Sequence, residues 1–408
     1  LHVTLKTSSN EVLITGVGLA SSLGADAEAH LARLFSGAPV TPAVDEARYA
    51  PYPVHPFAEV DFSREIPKKS DQRQMELWQR IGVYAAGLAL SDAGIARNPE
   101  LLDRTDLVVA AGSGERDTKV DCEVLEKLGP RDDAALLAKE VLPSALRPTL
   151  FLAQLSNMLA GNISIVHNVT GSSRTFMGEE MAGLAALENA HRRIAAGQAG
   201  LILVGGALNA EREDLLLGYE IGHNLWRGSH CPVWDREDGG GFVPGSIGAF
   251  VVLESKAHAD ARKAKPYGRL VAVETGHAQR ERGAIVRTLA DLLGRMRGLL
   301  PDGELPTLSG ASGKRPATCE ERVFLTQLAS QNLNPIVRAY GSLLGHGVEA
   351  QFPAGIALAA LALKSGRLPP PGGPESIEQP LSAPPQRVLV TGVGHWRGEG
   401  LALVEAVA

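Results

Sequence analysis

The segment Gly171-Ser172-Ser173-Arg174-Thr175-Phe176-Met177-Gly178 leads into a helical pattern over residues 179–196, which Gly197 stops. The first residues of that pattern are Glu179 and Glu180. A helix N-terminus carries unpaired N–H groups and partial positive charge, so it activates nucleophiles or holds anions. Two acids in a first turn also complement the dipole with no further role, and local pattern alone favours that plainer reading. Gly16-Val17-Gly18, after an apolar run, suggests a dinucleotide turn. That fingerprint needs a third glycine three residues on, where Ser21 stands, so a plain strand-to-helix turn is expected. None of the 11 histidines has metal-ligand spacing such as a pair at i, i+4, and His223 and His230 merely flank Trp226 seven residues apart. No metal and no catalytic zinc are expected. There is no phosphate-binding glycine loop and no G-x-S-x-G nucleophile turn.

These residues must be placed by a framework of alternating strands and helices. Residues 12–18 read as a buried strand, 26–37 as a helix, and 72–93 as one long helix closed by Gly94. Strands are expected at 107–111, 163–169, 201–206 and 250–254, with residues 170–178 a loop. Residues 37–67 form a surface excursion, and 369–385 a Pro-rich connector. The alternation predicts an α/β fold with a mostly parallel sheet covered on both faces. VLITGVG at 12–18 recurs as VLVTGVG at 388–394, which suggests two related strand-and-turn units. After the charged stretch 254–265, residues 268–276 (GRLVAVETG) open a second run of strands and helices. The expected halves are 1–255 and 256–408.

Composition narrows the class. The 408 residues carry 40 Lys+Arg against 46 Asp+Glu, a net charge of −6, which argues against general nucleic-acid binding. Three cysteines cannot build a disulfide framework and fit a reducing cytoplasm. The first residues lack the basic start, long apolar core and small-residue cleavage site of a signal peptide. No apolar run reaches the length of a membrane span, since GIALAALAL stops at Lys364.

Several segments in order then resemble the β-ketoacyl-acyl-carrier-protein synthases. VLITGVGLASSLG resembles that family's opening; Ile66-Pro67-Lys68-Lys69 through Asp92-Ala93-Gly94-Ile95 resembles its long helix region. Residues 156–164 (SNMLAGNIS) look like the segment leading to the nucleophile strand. Residues 232–243 (PVWDREDGGGFV) are similar to a Pro-Phe-Asp…Arg-Asp-Gly-Phe-Val signature. Leu343-Leu344-Gly345-His346, the helix to Leu363 and Pro369-Pro370 resemble the second-histidine segment. The resemblance implies a thiolase-like five-layer αβαβα fold of two pseudo-duplicated halves, dimerisation, and an acyl-carrier-protein partner. No cofactor is implied beyond 4'-phosphopantetheine as the carrier's arm. It also implies a mechanism in which a helix-N-terminal Cys takes the acyl chain as a thioester and two His stabilise the enolate formed as malonyl thioester loses CO₂.

This sequence departs from that pattern at the catalytic positions. Counting back from Gly197 puts Glu180 at the nucleophile position, Ser309 stands at the first His, and His346 alone is retained. The usual Lys-Ser pair is Gly341-Ser342, and the C-terminal glycine loop reads Gly392-Val393-Gly394-His395-Trp396-Arg397-Gly398, whose Trp396 and Arg397 do not suit the usual gate. Cys122, Cys231 and Cys319 lie elsewhere, the last beside two carboxylates that would raise its pKa. The resemblance therefore points to a chain-length-factor-type subunit, inactive alone, that pairs with an active ketosynthase paralogue in fatty acid (including very-long-chain) or polyketide elongation. The 68–94 segment looks closer to the bacterial fatty-acid enzymes. Two alternatives stand beside it: a malonyl-carrier decarboxylase using Glu180 and His346, and a scaffold for acyl carrier protein.

Overall fold

The computed structural model describes residues 10–128, 135, 138–139, 142–145, 148–236, 239–373 and 377–407. The first nine residues, Glu237 and Asp238 of the 232–243 segment, and residues 374–376 of the connector lie outside them. The described residues form ten strands: β1 Val12–Ala20, β2 Asp106–Ala110, β3 Ser173–Phe176, β4 Leu201–Leu208, β5 Ile247–Ser255, β6 Gly268–Gly276, β7 Gly303–Ser309, β8 Leu333–Ala339, β9 Arg387–Val393 and β10 Glu399–Glu405. Their order is β3-β2-β4-β5-β1-β6-β10-β9-β7-β8. At the middle, β1 and β6 pair only through Leu13 with Arg269 and Ile14 with Gly268. The row thus divides into two halves of identical topology, 3-2-4-5-1 and 8-7-9-10-6. The first set of five strands ends at Ser255 and the second starts at Gly268.

Two expectations change here. The VLITGVG and VLVTGVG segments do not occupy equivalent places: the first is β1 at the seam, while the second is β9, whose counterpart is β4. The sheet is mixed rather than mostly parallel. β2 runs parallel to β3 and β4, and β7 to β8 and β9; the pairs around the seam are antiparallel. The reason is connection length: β9 and β10 are joined by residues 394–398 alone, too few for a parallel crossover.

Helices form the other layers. The Glu180–Ala195 helix touches β2 and β4 of one half and β6 of the other, and the Gln351–Ser365 helix packs on β5, β1, β9 and β10. The latter is buried on every side from Gln351 to Ala362, as a central-layer helix must be. The Leu77–Asp92 and Met158–His167 helices cover the outer face of the first half. Ala284–Met296 and Ala317–Gln327 cover the second. The Gly16-Val17-Gly18 run lies inside β1, beneath the Leu77–Asp92 helix. A Cβ on Gly18 would stand 1.9 Å from the Ala85 carbonyl oxygen, so these glycines serve helix–strand contact.

The local reading fails in two further places. The expected 72–93 helix is two, Lys69–Gln74 and Leu77–Asp92, because Glu76 and Gln79 form a capping box that starts a new helix. Residues 163–169 are no strand: Met158–His167 is a helix, ended by Asn168 in the left-handed region at φ 56°. Leu159, Ala160 and Ile163 form its buried face, and the strand (β3) falls in the expected loop. No helix among the described residues is long and apolar enough to cross a membrane.

Candidate functional site

Glu180 opens the central Glu180–Ala195 helix directly after β3, Gly178 and a left-handed Glu179 (φ 57°). Its side chain points inward and is 4% exposed. Glu180 Oε1 accepts from His346 Nε2 at 2.7 Å, from His395 Nδ1 at 2.7 Å and from the His395 backbone N–H at 3.2 Å. Glu180 Oε2 is buried without a partner among the described residues. Both imidazoles are nearly solvent-free, and the rings of Phe242 and Tyr219 close around them: Phe242 lies 5.0 Å from His346 and 5.3 Å from His395, and Tyr219 5.5 Å from His395.

Each histidine is held by backbone. His346 follows the short Gly341–Leu344 helix and Gly345, at φ 77°, where a Cβ would stand 2.7 Å from the Gly245 Cα. The His346 N–H donates to the Val243 carbonyl at 2.8 Å, and the Gly245 N–H donates to the His346 carbonyl at 3.0 Å. The 232–243 segment is therefore the frame of His346. Its buried Arg236 donates to the Gly241 and Ser312 carbonyls at 3.1 and 2.9 Å, and the Val233 N–H donates to Ser342 Oγ at 3.0 Å. His395 lies in the β9–β10 connection. Arg280 ties that loop down, donating to the Gly394 carbonyl at 2.7 Å and to Glu399 at 2.7 Å.

The charge states follow from these contacts. Burial alone would push the Glu180 carboxyl up, but the His395 charge and the bonds from both imidazoles outweigh it and hold the group well below the usual carboxylate range. Burial pulls His395 down, yet Glu180, with Glu179 behind it, raises its pKa overall. For His346 burial wins and the pKa falls. These directions favour the ionised form of Glu180 and place positive charge on His395 in preference to His346, which donates through Nε2. Such a carboxylate has both histidines engaged. It is no nucleophile toward a thioester, and it occupies Nε2 of His346 and Nδ1 of His395, leaving only Nε2 of His395 turned toward Glu179.

Of the three residues singled out at the degenerate catalytic positions, the structure joins Glu180 and His346. Ser309, at the end of β7, is buried and makes different bonds: its Oγ donates to Glu321 Oε1 at 2.7 Å and accepts from the Ala311 N–H at 3.1 Å. Thr391 also donates to that Glu321 oxygen. Cys122 and Cys319 are exposed, and Cys231 is half-buried with its thiol pushed up by burial. Sequence reasoning missed His395 as a partner of Glu180. It also missed Glu349, three residues beyond His346, whose buried carboxyl is pushed up to about 7 by burial first and by Glu180 and Glu179 after it. Glu349, Glu179, His395, Trp396, Tyr219, Arg212 and Trp78 are among the residues lining a cavity of about 450 Å³. Trp396 is 64% exposed at this cavity, and Arg212 is paired with Asp214.

Comparison with known proteins places this geometry. The family described as "Beta-ketoacyl synthase, N-terminal domain" matches residues 9–259. The 3-oxoacyl-[acyl-carrier-protein] synthase 2 of Vibrio cholerae is 29% identical over 273 residues, 65% of this chain and 62% of that protein. Its namesake from Rhizobium meliloti is 27% identical over 64% of this chain and 62% of the relative. The chain thus spans about 62% of the length of these relatives. Among solved structures, the ishigamide ketosynthase/chain length factor superposes with a TM-score of 0.78 at 20% identity, covering 98% of this chain and 100% of that one. The oxazolomycin ketosynthase domain of Streptomyces albus gives 0.77 at 17% identity, covering 98% and 75%. These superpositions establish the thiolase-like fold. The domain match over more than half the sequence establishes the rest: this chain belongs to the β-ketoacyl synthase family.

Proposed function

We propose that this chain is a non-condensing, chain-length-factor-type subunit that pairs with an active, cysteine-bearing ketosynthase in fatty acid or polyketide elongation. The observation that carries the reading is the buried Glu180, engaged by both His346 and His395 at the head of the central helix. A carboxylate there forms no thioester, and His346, the one imidazole retained to meet an enolate, is already bonded through Nε2. The same negative charge weighs against malonyl-carrier decarboxylation, because it would repel both the substrate carboxylate and the enolate.

Pairing is supported by the surface. Strand β3 is an edge strand, with Ser173 and Arg174 exposed, and it is bordered by the exposed Ile165 and Met177. Such an edge is a template for another chain. Leu217 and Ile221, one helical turn apart beside the cavity-lining Leu215, Gly218 and Tyr219, add a second exposed apolar strip. One superposed structure is named as a ketosynthase/chain length factor. Another, with a TM-score of 0.71 at 16% identity, is named as a ketosynthase complex with its acyl-carrier protein. In this reading the cavity meets the acyl group or the pantetheine arm of a carrier, residues 1–255 and 256–408 are the two halves, and the site of action is the cytoplasm.

The test is co-expression with a candidate cysteine-bearing ketosynthase, followed by native mass spectrometry and by mass analysis of each chain after exposure to acyl- and malonyl-carrier protein. The expected outcome is a one-to-one complex with the acyl adduct on the partner alone. A covalent acyl group on this chain, or CO₂ release by this chain by itself, overturns the proposal.

A further inference from the structure

Glu180, His346 and His395 come from three separate segments, and their donor atoms all lie within 4.8 Å of one another. Two imidazole nitrogens meet one carboxylate oxygen, each at 2.7 Å. This donor set suits zinc and other borderline divalent transition metals. Glu180 Oε2 is fully buried and has no donor among the described residues, so the carboxylate has unused coordinating capacity inside the cluster. Behind His395, its Nε2 faces Glu179 Oε1 at 3.8 Å. That is an ion-pair distance and not a hydrogen bond; closing it by about 0.8 Å would make Glu179 the outer support that fixes the tautomer of a ligating imidazole. His395 and Glu179 also line the cavity, which gives an entry path and room for a further ligand.

From this geometry we infer that the Glu180–His346–His395 cluster is a binding site for a divalent transition-metal ion of the zinc class. The fourth position is filled from the cavity by water or by an anionic oxygen of a bound molecule. The change needed is small. Each nitrogen–oxygen pair, now 2.7 Å apart, must open by about 0.6–0.9 Å to stand tetrahedrally around an ion about 2.0–2.2 Å from each donor. The proton balance is simple: His395 releases its Nδ1 proton to solvent and keeps Nε2–H toward Glu179, while the His346 proton moves from Nε2 to Nδ1. Glu180 contributes the only full negative charge among the ligands, so the loaded cluster carries one net positive charge. The inference does not depend on whether the chain pairs with a ketosynthase.

The experiment uses the full chain, stripped with a chelator and then titrated separately with Zn²⁺ and Co²⁺. Bound metal is read by elemental analysis after dialysis, and geometry by the visible absorption of Co²⁺. The expected result is one ion per chain with the spectrum of a low-coordinate nitrogen–oxygen site. Binding should weaken at least about tenfold in Glu179→Gln, which leaves the buried cluster intact, and further in His395→Ala and His346→Ala. His230→Ala and Cys231→Ser should retain the ion. Wild-type chain that binds no stoichiometric metal overturns the inference, as does metal held equally by the His395→Ala and His346→Ala variants. Either result leaves the acyl-loading test of the proposed function standing.

Discussion

Glu349 carries its charge state into the stability of the whole chain. Its buried carboxyl titrates near 7 in the folded protein, against an ordinary 4.5. Between those values the native state holds a proton that the unfolded chain has released. The associated stability is therefore complete below about pH 4.5 and is lost as pH rises through 7, a change on the order of 3 kcal/mol. Glu349→Gln should abolish that slope and melt higher than wild type at pH 8.5. Parallel melts from pH 5 to 8.5 check this, and a wild type that gains stability over Glu349→Gln with rising pH would sink it. Glu180→Ala should behave oppositely, destabilising by about 1–3 kcal/mol at pH 7, because it removes the acceptor of both buried imidazole N–H groups and lets His395 fall back toward its neutral form. Denaturant midpoints measure that loss, and a midpoint unchanged from wild type would refute the ion pair. Glu180 was legible through its count back from Gly197, and His346 because Leu343-Leu344-Gly345-His346 resembles the family's second-histidine segment. His395 was not: its partner is 215 residues away, and nothing local distinguishes a loop histidine that reaches a buried carboxylate. Glu349 was hidden for a related reason, since its perturbation comes from burial and from two acids on another helix.

Among the elements, the amphipathic and glycine-closed ones were readable, and failures cluster where an apolar run is short. The 158–167 helix has its buried Leu159, Ala160 and Ile163 on one face and an exposed Ile165 on another, a pattern that ten residues barely display. β3 was missed because an edge strand of Ser, Arg, Thr and Phe, with its first two residues exposed, lacks the apolar signal of the central strands. The glycines of β1 tell more about packing than about turns. A methyl on Gly18 would meet the Ala85 carbonyl at 1.9 Å and the Ala89 nitrogen at 2.7 Å, both main-chain atoms of the Leu77–Asp92 helix that cannot rotate aside. Gly18→Ala must therefore lift that helix off β1 and β5. The expected cost is about 3 kcal/mol or more, read as a fall in denaturant midpoint. A variant as stable as wild type would show that the helix does not need this close approach.

For the whole molecule, duplication gives the row of ten strands two ends, β3 and β8, and the two are not alike. β3 is the short one, and its outward side can be read from its ladder. The Ser172 and Phe176 carbonyls accept from the Leu107 and Ala111 N–H groups of the β2 segment, so Ser172, Arg174 and Phe176 face β2. Ser173 and Thr175 then turn their N–H and C=O groups away from the sheet, toward whatever lies beyond the edge. An edge unpaired among the described residues, with Ile165 and Met177 exposed, fits continuation of the sheet across a subunit boundary. Proline at residue 175 removes one outward N–H while leaving the bonds to β2 in place. Thr175→Pro should accordingly fold with nearly wild-type stability but associate much more weakly, whether the partner is a second copy or a cysteine-bearing ketosynthase. Light scattering and native mass spectrometry at matched concentrations separate the outcomes. Loss of the dimer with an unchanged melt places the subunit contact on β3, whereas a dimer indifferent to the substitution moves it elsewhere, with the apolar strip of Leu217 and Ile221 the next surface to alter.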